Sequence, residues 1–260
     1  MGSGKEGLSV SAVLGHNASK WLAEALNRQH VKGYHQRLFK MCGFKGWQAA
    51  FKYQLNHPID AKKFQPYWSA VESDIKKGYD VVDTNIWPSY AIPTINNYYP
   101  LKYVLYVTRN GIKWLYSVTN ASSYRNRRLD HFGIDTYLQQ YWEILGRPFK
   151  LWKHWTYWER LCLYWSTSYH MPKWLEAQGI AVYRYRMEDL VGGVELYELY
   201  DLFGIDIEDY EVLHIQQRNV NQHITSKYVS AIWKNWSATQ IDTFKQICGD
   251  GMDYYDYSIL

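Results

Sequence analysis

The 260-residue sequence has only three cysteines, Cys42, Cys162 and Cys248, widely separated and odd in number, with no CxxC pair and no His/Cys spacing suited to zinc. A disulfide framework and a structural zinc site are thereby excluded, and free buried thiols in a reducing compartment are expected. No apolar run reaches the length of a membrane span, and the N-terminus has no signal-peptide core, so a cytoplasmic location is expected. Pro/Gly/Ser-rich and charged low-complexity stretches are missing too, which predicts a single domain over residues 1–260. The lack of an internal repeat excludes a solenoid or propeller. Charge of one sign is in short supply: the formal net charge is +4 and the pI about 8.7, without a long Arg/Lys run. The densest cluster, Arg125, Arg127 and Arg128, reads as a solvated face. This suits a pocket for an anion and falls short of a nucleic-acid footprint.

What the chain does have is apolar and aromatic surface. Hydrophobic residues make up 47%, enough for a substantial core, and aromatics 18%, with 13 Trp and 25 Tyr. Such rings either fill a core or line a site that stacks on flat or sugar-like ligands.

The periodicity alternates strand and helix. Residues 8–14 (LSVSAVL) read as a strand, followed by Gly15-His16-Asn17-Ala18-Ser19 and a helix over 20–27 with Trp21, Leu22, Ala25 and Leu26 inward and Asn17 or Ser19 as its cap. A second helix places Trp68, Val71 and Ile75 on one face and ends at Lys76-Lys77-Gly78. Strands follow over 79–84 and 102–108, the latter turning at Arg109-Asn110-Gly111 into another helix. The stripe of Trp152, Trp155, Trp158, Cys162 and Trp165 predicts a core helix over 150–168. A strand over 180–186, a helix over 194–203 and a last helix opened by the capping box Ser237-Ala-Thr-Gln240 and stopped by Gly249 complete the pattern. The fold class is therefore α/β: three layers, a mostly parallel central sheet flanked by helices, with ligands bound beyond the carboxyl ends of the strands.

Two places carry the marks of anion chemistry. The first strand–loop–helix aims backbone N–H groups at its loop, with His16, Asn17, Ser19 and Lys20 adding donors. Gly15 and Lys20 are one residue too close for a nucleotide P-loop, and Trp21 stands where a magnesium-binding hydroxyl belongs, so phosphate or sulfate bound without metal fits better. The second is Arg109 with Ser117 two helical turns on, either a phosphate clamp or an exposed arginine and an ordinary helix serine.

These segments resemble the sulfotransferase family. Leu14-Gly-His-Asn-Ala-Ser-Lys-Trp-Leu22 is similar to its 5′-phosphosulfate loop, typically YPKSGTTWL, and Val107-Thr-Arg-Asn-Gly-Ile-Lys-Trp-Leu-Tyr-Ser117 to its 3′-phosphate motif. Arg186-Met-Glu-Asp-Leu190 resembles the family's YEDL segment. The departures are His16 for the usual Lys, Asn17 for Ser, Ala18 for Gly, Gly111 for Pro, and Asn85 where cytosolic members carry a catalytic histidine. The resemblance implies 3′-phosphoadenosine 5′-phosphosulfate (PAPS) as donor, its bisphosphate (PAP) as product, no metal, and a small-molecule or carbohydrate acceptor. It places Gly15 to Lys20 around the phosphosulfate, with His16 and Lys20 on the leaving group. It also places Arg109 and Ser117 on the 3′-phosphate, Trp21 against adenine or in the core, and the segment with Arg218, Asn221, His223 and Lys227 over the donor. Asp83 is the first candidate for the base and His35 the second, while Glu188 reads as a hydrogen-bond acceptor. The rivals are a magnesium-dependent P-loop kinase or nucleotide hydrolase, and an aromatic-rich binding module without turnover.

Overall fold

A computed structural model describes residues 7–12, 19–38, 40–43, 64–84, 89, 92–120, 138, 141, 154–206 and 235–258. Five strands, β1 (Leu8–Ser11), β2 (Val31–Tyr34), β3 (Asp80–Asp83), β4 (Leu101–Thr108) and β5 (Val182–Arg186), pair in the order β2-β3-β1-β4-β5, all parallel. The central strands are the apolar ones: β1 and β3 are buried throughout, and β4 from Val104 on, whereas the edges β2 and β5 are mostly half-exposed. Parallel strands are joined by crossovers that cover both faces, so a strand in the middle can be apolar on both sides.

The crossovers include α1 (Ser19–Leu26), α2 (Gln65–Ile75), α3 (Ile92–Tyr98), α4 (Gly111–Asn120) and α5 (Tyr157–Ala177). After β5 come α6 (Met187–Gly192), α7 (Leu196–Leu202) and α8 (Ala238–Tyr254). Alternation along β4 splits the core in two. Val104 and Tyr106 pack with Trp68 and Val71 of α2, Ile112 and Leu115 of α4, Trp165 of α5 and Phe244 of α8. Leu105 and Val107 pack with Leu22 and Leu26 of α1, Leu190 of α6 and Leu199 of α7. One helical layer thus lies on each face of the sheet, the three-layer α/β architecture expected from the sequence.

Differences from the expected elements have local causes. β2 is not among the expected strands, because four residues, VKGY, carry too little pattern to register as a strand. The long helix α5 starts later than expected, at a Thr156 capping box with Glu159, and runs to Ala177 through Pro172. A proline inside a helix deprives the carbonyl four residues earlier of its donor. Here that carbonyl belongs to Ser168, and the Tyr255 hydroxyl supplies the bond at 2.7 Å. α8 opens at the expected capping box, Ser237 with Gln240, but passes Gly249 and ends at Tyr254, since Met252 continues its buried face. Cys162 and Cys248 are buried and Cys42 half-buried, all free, and the Cys248 thiol donates to the Cys162 carbonyl at 3.4 Å. Among the described residues no helix is long and apolar enough to cross a membrane.

β2 and α1 approach each other closely at Gly33. A Cβ at Gly33 would stand 2.0 Å from the Ala23 carbonyl oxygen and 3.1 Å from the Asn27 nitrogen. Because the obstacles are backbone atoms of a packed helix, no rotamer change relieves them. Gly33→Ala is expected to destabilise by about 3 kcal/mol or more, measured by urea denaturation; a loss below about 0.5 kcal/mol would show that α1 shifts freely over β2.

Candidate functional site

In an open parallel sheet, the loops that leave the carboxyl ends of the strands gather at one edge. Here they are the connection from β1 to α1, the residues after β2 and β3, and the start of α4 after β4. Gly15, His16, Asn17 and Ala18 lie outside the described residues, as do Asn85, Arg218, Asn221, His223 and Lys227.

At the β4 end, Arg109 is the first residue beyond the strand and only 8% exposed. Burial pushes its guanidinium down from the ordinary arginine value, and the Glu188 carboxylate is the first influence opposing that. The backbone at this corner is fixed from several sides. The Trp165 indole donates to the Arg109 carbonyl at 2.8 Å, and the Asn110 side-chain oxygen accepts from the Ile112 and Lys113 amides at 3.1 and 3.2 Å, so Asn110 caps α4. Gly111 follows, where a Cβ would stand 2.9 Å from the Trp165 ring and 3.1 Å from Phe244. Gly111 is thus the residue that lets Trp165 and Phe244 pack onto the first turn. Ser117, two turns into α4, is half-buried.

Glu188, on the first turn of α6, acts as the hydrogen-bond acceptor expected of it. Its Oε1 accepts from the Asn110 amide at 3.2 Å and lies 4.0 Å from Lys113 Nζ, while its Oε2 accepts from the Tyr257 hydroxyl at 2.9 Å. Asn110, Lys113 and Tyr257 were not singled out in the sequence. A helix-capping asparagine is a recognisable signal there; a tyrosine 69 residues from its partner is not.

At the other side of β1, the Thr84 hydroxyl donates to the Ser19 carbonyl at 2.6 Å, tying the end of β3 to the start of α1. Lys20 points outward, its side chain 76% exposed and its Nζ 3.8 Å from Glu24. Trp21 is 5% exposed and packs in the same cluster as Leu22, Val82 and Leu105.

Asp83 and His35 come to the same edge in different surroundings. Asp83 has no exposed surface; burial pushes its carboxyl up to about 6, against the Tyr67 hydroxyl, the Arg37 and Leu38 amides and the Arg37 charge. The Arg37 amide is 3.4 Å from Asp83 Oδ1, and the Arg37 guanidinium pairs with Asp74 at 2.8 Å while lying over the Tyr34 ring. Tyr34 in turn donates to Asp74 at 2.7 Å. Asp83 thus lies beside the Arg37–Asp74–Tyr34 network, joined to it through the Arg37 amide. His35, the next residue after β2, is half-buried, and burial with the nearby Lys40 and Lys20 charges lowers it from the ordinary histidine value, leaving a neutral imidazole at pH 7.

Comparison with solved structures finds the sulfotransferase domain from the curacin biosynthetic pathway, at 16% identity and a TM-score of 0.52, covering 100% of each chain. A sulfotransferase from Alicyclobacillus acidocaldarius is also similar, at 12% identity and a TM-score of 0.44, over 94% of this chain and 95% of the other. No protein-family model matches the chain, and no curated protein does. The first likeness establishes that this chain has the fold of a sulfotransferase domain along its full length.

The buried Asp83 has a consequence for stability. Its folded value is raised above the ordinary one of 3.8, so the folded chain takes up a proton between about pH 4 and 6, and the associated stability is lost as pH rises through about 6. The melting temperature of Asp83→Asn relative to the parent protein is expected to be more favourable at pH 7.5 than at pH 4.5. Equal differences at both pH values would show that Asp83 does not titrate in that window.

Proposed function

We propose that this protein is a sulfotransferase that moves a sulfuryl group from PAPS to a hydroxyl or amine of a small-molecule or carbohydrate acceptor. The observation that carries the reading is the corner at the end of β4. There a buried arginine leads into an asparagine-capped helix with Ser117 two turns on, one strand away from the β1–α1 connection, in a chain with the fold of a sulfotransferase domain.

The residues fit such a donor. Arg109, with its charge held in a largely dry corner, is suited to a phosphate, and Ser117 adds a hydroxyl on the same helix. Donor phosphates at the start of α1 would meet Ser19, Lys20 and the residues of the preceding loop, His16 among them. Lys20 is an exposed cation, able to leave Glu24 for a phosphate, since an exposed i,i+4 pair is worth only about 0.5 kcal/mol. PAPS, when bound, supplies the activated sulfuryl group and a leaving bisphosphate.

For the proton of the acceptor, His35 is placed ahead of Asp83. It is neutral at pH 7 and half-exposed at the strand edge, whereas Asp83 is sealed behind Arg37 and Tyr67. Proton removal by a positioned base contributes about 10²- to 10⁴-fold. Asp83 instead holds the Arg37 backbone, two residues beyond His35, and so orients the loop that carries the base.

Two measurements test this. Calorimetry without magnesium should show PAP binding more tightly than adenosine 5′-monophosphate, with the preference falling about 10- to 100-fold in Arg109→Ala. No preference in the parent protein, or a strict need for magnesium, would sink the reading and return the loop to a nucleotide kinase or hydrolase. In steady-state assays with PAPS, His35→Asn should lower kcat at least about a hundredfold, and in the parent protein the acid limb of the pH profile should fall below the ordinary histidine value. Asp83→Asn abolishing turnover while His35→Asn leaves it intact would reverse the assignment.

A further inference from the structure

The Arg109 corner contains a difficulty for any anion site. Glu188 Oε1 accepts from the amide of Asn110, the residue next to Arg109, at 3.2 Å, and its carboxylate is the first charge acting on the Arg109 guanidinium. A carboxylate that closed onto that guanidinium would take the place of a phosphate, because both compete for the same planar donors. In the structure its two oxygens are engaged elsewhere: Oε1 with the Asn110 amide at 3.2 Å and Lys113 Nζ at 4.0 Å, Oε2 with the Tyr257 hydroxyl at 2.9 Å.

Tyr257 reaches this point from beyond the end of α8, and its own seat is well defined. It is 7% exposed, and its ring lies beside Tyr255 and under the Arg186 guanidinium, 5.3 Å from the ring centre. Arg186 is bonded to the Tyr255 carbonyl at 2.9 Å and to Asp189 at 3.0 Å, while Tyr255 is anchored to Ser168. Burial and the neighbouring carboxylate push the phenol of Tyr257 up, so it is a permanent donor at any physiological pH. The chain end is therefore bolted to α5 and α6 in a way that presents one hydroxyl to one carboxylate oxygen.

We propose that Tyr257 is a positioning residue for the anion site: with the Asn110 amide it holds both oxygens of Glu188, keeping the carboxylate off the Arg109 guanidinium so that the guanidinium serves a phosphate. This rests on the donor reading above for the identity of the phosphate, but the restraint on Glu188 is a statement about this chain alone.

The test is a rescue. In Tyr257→Phe, affinity for PAP is expected to fall about tenfold while affinity for adenosine 5′-monophosphate is unchanged. In Tyr257→Phe with Glu188→Gln, which removes the competing charge and keeps an acceptor for Asn110, affinity for PAP is expected to return to within about twofold of the parent. A double variant as weak as Tyr257→Phe alone, or a Tyr257→Phe protein weakened equally for both nucleotides, would overturn the proposal and leave Tyr257 a packing residue. A ligand-free crystal structure of Tyr257→Phe asks the question without a donor. Glu188 within ion-pair distance of Arg109 supports the restraint, and Glu188 still on the Asn110 amide overturns it. Should the parent protein show no preference for the bisphosphate, the donor reading falls, and the crystal structure alone decides the role of Tyr257.

Discussion

The hydrogen bond from the Trp165 indole to the Arg109 carbonyl decides where β4 ends and α4 begins, and much of the rest is arranged around it. Trp165 is fully buried on the long helix α5, so its N–H requires a partner, and the corner carbonyl is that partner. The ring then occupies the space that a side chain at position 111 would need, which is why a glycine stands there. A strand-to-helix corner pinned in this way fixes Arg109 just past the strand and starts α4 at Asn110, whose side chain caps the exposed amides. α8 closes the other side of the same contact through Phe244, with Gly251 packed against Trp165.

Much of this was legible because it is written in local pattern. Four of the five strands, the Ser237 capping box and the buried faces of α1 and α2 follow from periodicity and cap chemistry, which act over a few residues. Arg109 just beyond β4, Ser117 within α4 and Glu188 on the first turn of α6 fall on the elements that the motif order predicts. What escaped has non-local causes. β2 is a strand because β3 pairs with it, and VKGY carries no signal of its own. α8 passes Gly249 because the helix still has apolar residues to bury against α5. The burial of Trp21 against Leu22 and Val82 likewise depends on a strand some sixty residues away. The Tyr257–Glu188 bond joins residues 69 apart, beyond any window of sequence.

The two carboxylates at this edge show how the same chemistry is put to opposite uses. Asp83 sits deep, level with Val10 of β1, where burial makes its charge expensive; its return is a bond to the backbone that carries His35. Glu188 sits at the rim, partly solvated, where its charge is cheap and its danger is attraction to a neighbouring cation. The first is stabilised by supplying donors from the chain that follows β2, the second by a hydroxyl brought from the end of the chain. A parallel sheet makes both necessary, because it collects the carboxyl ends of every strand, and the polar groups that follow them, at one edge. Anion chemistry at that edge requires the positive groups to be left accessible and the negative ones to be occupied. On the function proposed above, the Asn110 amide and the Tyr257 hydroxyl meet that second requirement by occupying both oxygens of Glu188, which ties a site that begins at Arg109 to a residue beyond α8.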